Sequence, residues 1–169
     1  MGMVSIKCIG KEKIFRQEGI KALCPIKAIP NGKRCDINDV LVCHTDLTNN
    51  QEIIGRPILI PTKGTYSSLT YSMDLVKVQP ISNKFSKALV FRILNSKSFN
   101  NHALGFCSGT TVVHLSKKAL QTYSFNGPSQ CFEKLSEDLQ NYQNQIVALT
   151  SETDMLEKIK SFLLAKYFS

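Results

Sequence analysis

The chain has 169 residues and a mass of 18.9 kDa, enough for one domain or one domain with an appendage. Its 43% hydrophobic and 20% charged residues are ordinary globular usage, which excludes a disordered, collagen-like or linker chain, and no apolar run approaches the roughly 18 residues of a membrane helix. The net charge of +8 is uneven: residues 1–130 hold 17 Lys and Arg against 7 Asp and Glu, a balance of +10, and residues 131–169 hold 4 against 6, a balance of −2.

Residues 3–9 alternate apolar and polar, the period-two signature of a strand, ended by Gly10. In residues 11–23, Ile14, Phe15, Ile20 and Leu23 outline a short helical face that Gly19 weakens. Cys24-Pro25 ends it, because a proline ring disfavours helical backbone at the residue before it. Pro30-Asn31-Gly32 reads as a turn. Val40–Cys43 is a continuous apolar run of the length of a buried strand. Thr48-Asn49-Asn50 and Thr62-Lys63-Gly64-Thr65 read as turns. Ile53-Ile54 and Ile58-Leu59-Ile60 read as strands divided by Gly55-Arg56-Pro57. Pro57 lacks an N–H and belongs at a strand start or a sheet edge. Leu69–Tyr71, Leu75–Val78, Ala88–Leu94, Ala103–Cys107 and Thr110–Leu115 read as further short strands, and Lys117–Thr122 as one helical turn. This spacing predicts an α+β, mostly β fold: a small barrel-like or bent antiparallel sheet over residues 1–126.

Asn126-Gly127-Pro128 marks a boundary, and residues 129–169 contain neither Gly nor Pro. Phe132, Leu135, Leu139, Tyr142, Ile146 and Leu149 recur at alternating steps of three and four, an a/d stripe on one helical face. Thr150-Ser151-Glu152-Thr153-Asp154 carries helix-start residues, with Ser151 and Asp154 in a capping pattern. Met155, Leu156, Ile159, Phe162, Leu163 and Tyr167 lie on one side of a second helical stretch. Residues 127–169 are thus an amphipathic helical tail, read as two helices broken near 150, with one long helix as the alternative. The stripe packs on the body or on a partner: a second protein or another copy of this chain.

The six cysteines (Cys8, Cys24, Cys35, Cys43, Cys107, Cys131) mostly lie in apolar runs. Lys7, Lys11 and Lys13 interrupt any signal segment. Free thiols in a reducing compartment, nuclear or cytoplasmic, are the expectation. There is no Cys-x-x-Cys, and the three histidines are far apart, so neither a metal site nor a cofactor is predicted.

A basic body suits a polyanion, either nucleic acid or an acidic protein surface. Lys63, Lys77, Lys84, Lys87, Arg92 and Lys97 interleave with Tyr66, Tyr71, Phe85, Phe91 and Phe99, although Phe91 lies in an apolar run that reads as core. Stacking aromatics in a basic groove are how small barrels hold single-stranded nucleic acid.

One constellation has a catalytic look. His44 comes directly after an apolar strand, Asp74 opens a hairpin segment, and Cys107 lies in Gly105-Phe106-Cys107-Ser108-Gly109. The order His, Asp, Cys and the Gly-x-Cys-x-Gly window resemble those of chymotrypsin-like peptidases, including viral cysteine versions. The resemblance implies a thiol deprotonated by an imidazole that a carboxylate orients. It covers three short windows. The stretch from Asp74 to Cys107 holds too few strands to end one barrel and begin another, Ser108 replaces the usual glycine, and the helical tail uses residues a second barrel would need. The leading expectation is a non-catalytic adaptor subunit of an intracellular complex, away from membranes, with His44, Asp74 and Cys107 as the enzymatic alternative.

Overall fold

The computed structural model describes residues 1–10, 14–25, 27–46, 52–125 and 129–168. Among these, the strands are β1 (Gly2–Val4), β2 (Lys21–Ala22), β3 (Arg34–Cys35), β4 (Val40–Cys43), β5 (Thr45–Asp46), β6 (Pro57–Leu59), β7 (Leu69–Tyr71), β8 (Leu75–Val78), β9 (Cys107–Ser108) and β10 (Val113–Leu115). The helices are α1 (Lys87–Leu94), α2 (Lys97–Leu104), α3 (Lys118–Thr122) and α4 (Ser129–Phe168).

The strands form three small sheets. In the first, the order is β2-β1-β7-β3, with β1 parallel to β7 and the outer strands antiparallel to their neighbours. The second runs β6-β4-β8 and the third β5-β10-β9, both antiparallel. Pro57 opens the edge strand β6, where its missing N–H costs no ladder bond.

Strand β4 organises the body. Val40, Leu41, Val42 and Cys43 are all fully buried. Their alternation sends Leu41 and Cys43 into a core with Val4, Cys35, Ile58, Leu69 and Leu75. Val40 and Val42 enter a second core with Leu59, Ala88, Phe99, Ala103 and Val113. A strand covered on both faces needs apolar residues at every position, which is why this run is continuous.

One expected strand is a helix, and another begins in one. Ala88–Leu94 lies in α1 and most of Ala103–Cys107 belongs to the end of α2 and its exit. Serine caps decide this. The Ser86 hydroxyl accepts from the Leu89 amide, and the Ser96 hydroxyl accepts from the Phe99 amide, each at 3.1 Å. Helix accounts for 44% of the described residues and strand for 20%, and the described sheets form no closed barrel. The architecture is therefore α+β, and the expectation of a mostly β, barrel-like body is corrected. Strands of two to four residues, with the longer apolar runs diverted into helices, leave too little sheet to close.

Residues 3–9 also divide. Ser5 leaves β1 and caps a turn of 3-10 helix at Ile6–Cys8. A second such turn, Gln17–Gly19, precedes β2, where a longer helical face was expected. Ile53 and Ile54 form no strand; their amides donate to the buried Asp46 carboxylate at 2.8 and 2.9 Å. The turns expected at Thr48-Asn49-Asn50 and Asn126-Gly127-Pro128 lie outside the described residues.

The tail is one uninterrupted helix, not two. The expected break fails because the hydroxyls of Thr150 and Thr153 donate to the carbonyls of Ile146 and Leu149, at 2.7 and 2.9 Å. Satisfied one turn back, these side chains no longer compete for a helix start. No helix among the described residues is long and apolar enough to cross a membrane.

Candidate functional site

The structure separates the tail's apolar stripe into two roles. Phe132 meets Phe125 edge-on, with ring centroids 5.1 Å apart, and Leu139 packs against the second core. Leu135, Tyr142, Ile146 and Leu149 are 44, 63, 46 and 63% exposed. The body is fastened to the adjoining face of α4. The buried Ser136 accepts from the Ser86 amide at 2.6 Å, and its carbonyl accepts from the Ser86 hydroxyl at 2.8 Å, so α1 is capped on α4 itself. Gln143 is also buried there. Lys84 pairs with Glu133 at 2.7 Å, and Thr62 donates to Asp154 at 2.9 Å. Beyond Asp154 the apolar residues Met155, Leu156, Ile159, Phe162, Leu163 and Tyr167 are exposed.

Four of the six cations expected to face a polyanion, Lys63, Lys77, Lys84 and Lys87, are engaged by carboxylates. Lys77 and Lys87 meet on Asp39, at 2.8 and 2.6 Å, and the Asp36 amide donates to the same carboxylate at 2.9 Å. Burial pushes the Asp39 carboxyl up, but the Lys77, Lys87 and Asp36 hydrogen bonds outweigh it and hold it below its ordinary value. Lys63 pairs with Asp36 at 2.8 Å, and Lys84 is held on Glu133. Arg92 lies over the Phe91 ring, 5.6 Å from its centroid. Lys97 is exposed at the start of α2. Of the interleaved aromatics, Phe99 is fully buried, Phe91 packs on the second core, and Tyr66 and Tyr71 pack on the first.

A different set of cations has no carboxylate partner among the described residues, although Arg34 Nε donates to the Ile29 carbonyl at 3.5 Å. In the first sheet, Lys21 aligns with Met3, Met3 with Thr70, and Thr70 with Arg34. Residues in register share a face, so Lys21 and Arg34 mark the two edges of one row, about 14 Å apart across three strand spacings. The loop before β3 adds Lys27 and Lys33, both exposed. It is fixed from beneath: Thr70 donates to the Lys33 carbonyl at 2.6 Å and Tyr71 to the Gly32 carbonyl at 2.7 Å. Lys33 also lies over the Tyr71 ring, 5.0 Å from its centroid. No ion pair joins Lys21, Lys27, Lys33 or Arg34 to a carboxylate among the described residues. The signal in the sequence was the Pro30-Asn31-Gly32 turn with cations on either side, since turns are solvent-facing.

The backbone brings the catalytic-looking residues onto neighbouring strands, since His44 bonds Asp74 and Leu115, and Leu115 is in register with Cys107, but each side chain bonds another group. The His44 ring nitrogen Nε2 is hydrogen-bonded to the Met73 carbonyl, and its backbone amide donates to the Asp74 carbonyl at 2.9 Å. The Asp74 carboxylate accepts from Ser72 at 3.2 Å. The half-buried Cys107 thiol donates to the Ala103 carbonyl at 3.4 Å, and burial, with Asp46 nearby, pushes it up from its ordinary value. Among the described residues, no hydrogen bond links the Cys107 thiol to His44, or His44 to the Asp74 carboxylate. Gly109 has a structural reason for its place: it turns the β9–β10 hairpin at φ 108°, a conformation glycine tolerates without strain.

All six cysteines are free. Cys35 and Cys43 are buried, and burial pushes each thiol up to about 12. Cys24 and Cys131 are exposed. No group of His, Cys, Asp and Glu among the described residues could hold a metal ion. A scan against protein-family models finds no match, and no curated protein matches the chain.

Proposed function

We propose that the protein is a non-catalytic interaction subunit of an intracellular complex, which binds nucleic acid through its body and joins other chains through α4. The observation that carries this reading is the unneutralised cation row of the first sheet. Lys77 and Lys87 are committed to Asp39, whereas Lys21, Lys27, Lys33 and Arg34 are exposed, and Thr70 and Tyr71 fix the backbone at Lys33 and Gly32. Cations at the two edges of a face about 14 Å wide can reach the phosphates bordering a major groove, which is about 12 Å across. Phosphate contact of this kind gives affinity and register and leaves sequence choice to other groups.

The test is fluorescence anisotropy with labelled duplex and single-stranded oligonucleotides. Four phosphate contacts predict a salt slope near −3.6 on duplex DNA, roughly a 100-fold loss of affinity between 50 and 200 mM salt. The triple variant Lys21→Glu, Lys33→Glu, Arg34→Glu should abolish binding while retaining the wild-type melting temperature. Absence of binding at 50 mM salt, or a triple variant that binds like wild type, refutes the reading. Retention on polyglutamate that the triple variant loses would reassign the face to an acidic protein.

A further inference from the structure

Building on the reading of α4 as the assembly element, we infer that its partner is the α4 of a second copy, paired antiparallel and centred near Leu149. The heptad register carries the first part of the argument. Leu135, Tyr142, Leu149, Leu156 and Leu163 recur every seven residues, and all are 44% exposed or more. Ile146 and Tyr167 are exposed at the companion position, four residues on, where Leu139 instead packs on the body's second core. This is the a/d seam of a two-stranded coil. It adjoins the face on which Ser136, Gln143 and Asp154 hold the body.

Area decides that the occupant is large. The exposed parts of Leu135, Tyr142, Ile146, Leu149, Leu156, Ile159, Leu163 and Tyr167 amount to roughly 800 Å2 per chain, so two copies together supply the roughly 1,600 Å2 of a standard stable interface. The seam from Leu135 to Tyr167 is also about 48 Å long at 1.5 Å per residue, which only another long helix can track.

Charge decides orientation. Residues 131–154 carry Glu133, Glu137, Asp138, Glu152 and Asp154 against Lys134, a balance of −4. Residues 155–169 carry Lys158, Lys160 and Lys166 against Glu157, a balance of +2. A parallel pair would set like ends together, whereas an antiparallel pair sets each acidic half on a basic half. Pairing centred near Leu149 brings Lys160, a polar residue in the seam, level with Asp138 of the second copy. It also places the first half of one helix, which carries the body, beside the otherwise bare second half of the other.

Two measurements on the full chain test this. Light scattering should give twice the 18.9 kDa chain mass, and Leu149→Glu with Leu156→Glu should return it to the single-chain value without loss of the body's near-ultraviolet circular dichroism. Orientation is read by mild oxidation in a Cys24→Ser background. With Lys166→Cys added, Cys131 should cross-link to position 166 of the second copy and give a covalent dimer. Without it, the two Cys131 thiols lie at opposite ends and no dimer should form. A single-chain mass for wild type, an undiminished mass in the double variant, a Cys131–Cys131 product, or no cross-link from Lys166→Cys each overturns the inference. None of these outcomes depends on nucleic acid, so failure here leaves the reading of the basic face separately testable.

Discussion

Replacing Asp39 with Asn should destabilise the protein by about 2–3 kcal/mol at neutral pH. Asp39 is 5% exposed at its side chain and receives Lys77 and Lys87 on its two oxygens. A hydrogen bond to a charged group contributes about 1.5–3 kcal/mol. The lysine side chains are 23 and 35% exposed, so both ammonium groups regain some water in the variant, and the loss falls well short of the full sum. The carboxamide oxygen still accepts from the Asp36 amide, so local backbone geometry is retained. In urea unfolding the slope should be unchanged and the midpoint should fall by about 1 M, given slopes of about 1–3 kcal/mol/M. The pH dependence has a definite sign. The folded carboxyl is held below its ordinary value, so its contribution is complete above the unfolded pKa of about 4 and is lost as pH falls through the lower folded value. Wild type and variant should therefore converge below about pH 4. A difference under about 0.5 kcal/mol at pH 7, or one that grows on acidification, would refute the account of Asp39 as the clamp between β4, β8 and α1.

Thiol labelling near pH 8, read by mass spectrometry, should modify Cys24 and Cys131 first and leave Cys35 and Cys43 nearly untouched, since the latter are buried and pushed up to about 12. Cys107 should label slowly and at the same rate in His44→Ala; fast labelling abolished by that substitution would instead restore the peptidase reading. Gly109→Ala should lower the melting temperature through strain of about 1–3 kcal/mol, because φ is 108° there and a Cβ would strike the Val112 carbonyl. Asp46→Ala should cost about 2–4 kcal/mol by chemical denaturation, since it strips the Ile53 and Ile54 amides of their buried acceptor.

The sequence was readable where one physical factor dominated. Val40–Cys43 could be assigned because burial on both faces leaves no polar residue in the run. Ala88–Leu94 could not, because a short apolar run fits a buried strand and a buried helix equally well. Ser86 and Ser96, each three residues before the amide it caps, held the missing information. The continuous α4 was obscured by Thr150 and Thr153, whose hydroxyls turn inward to carbonyls four residues earlier. Nor could the sequence separate free cations from committed ones. Lys77 and Lys87 reach Asp39 across 38 and 48 residues, a pairing only the tertiary fold creates. The exposed stripe of α4 was visible as periodicity, but its division between the body and solvent depended on where Ser136 and Gln143 were buried.

The double-sided burial of β4 also governs how the body comes apart. Val40 and Val42 line one core while Leu41 and Cys43 line the other, so the strand is a wall common to two rooms. Neither core can melt while the other stays intact, because losing either one exposes half of that wall to water. The body should therefore unfold in a single calorimetric transition, and the amides of Val40–Cys43 should be the last to exchange with deuterium. Cutting the chain between β8 and α1 should leave the first core whole on one piece and split the second, so the C-terminal piece should fold only when Val40, Val42 and Leu59 are returned to it by mixing.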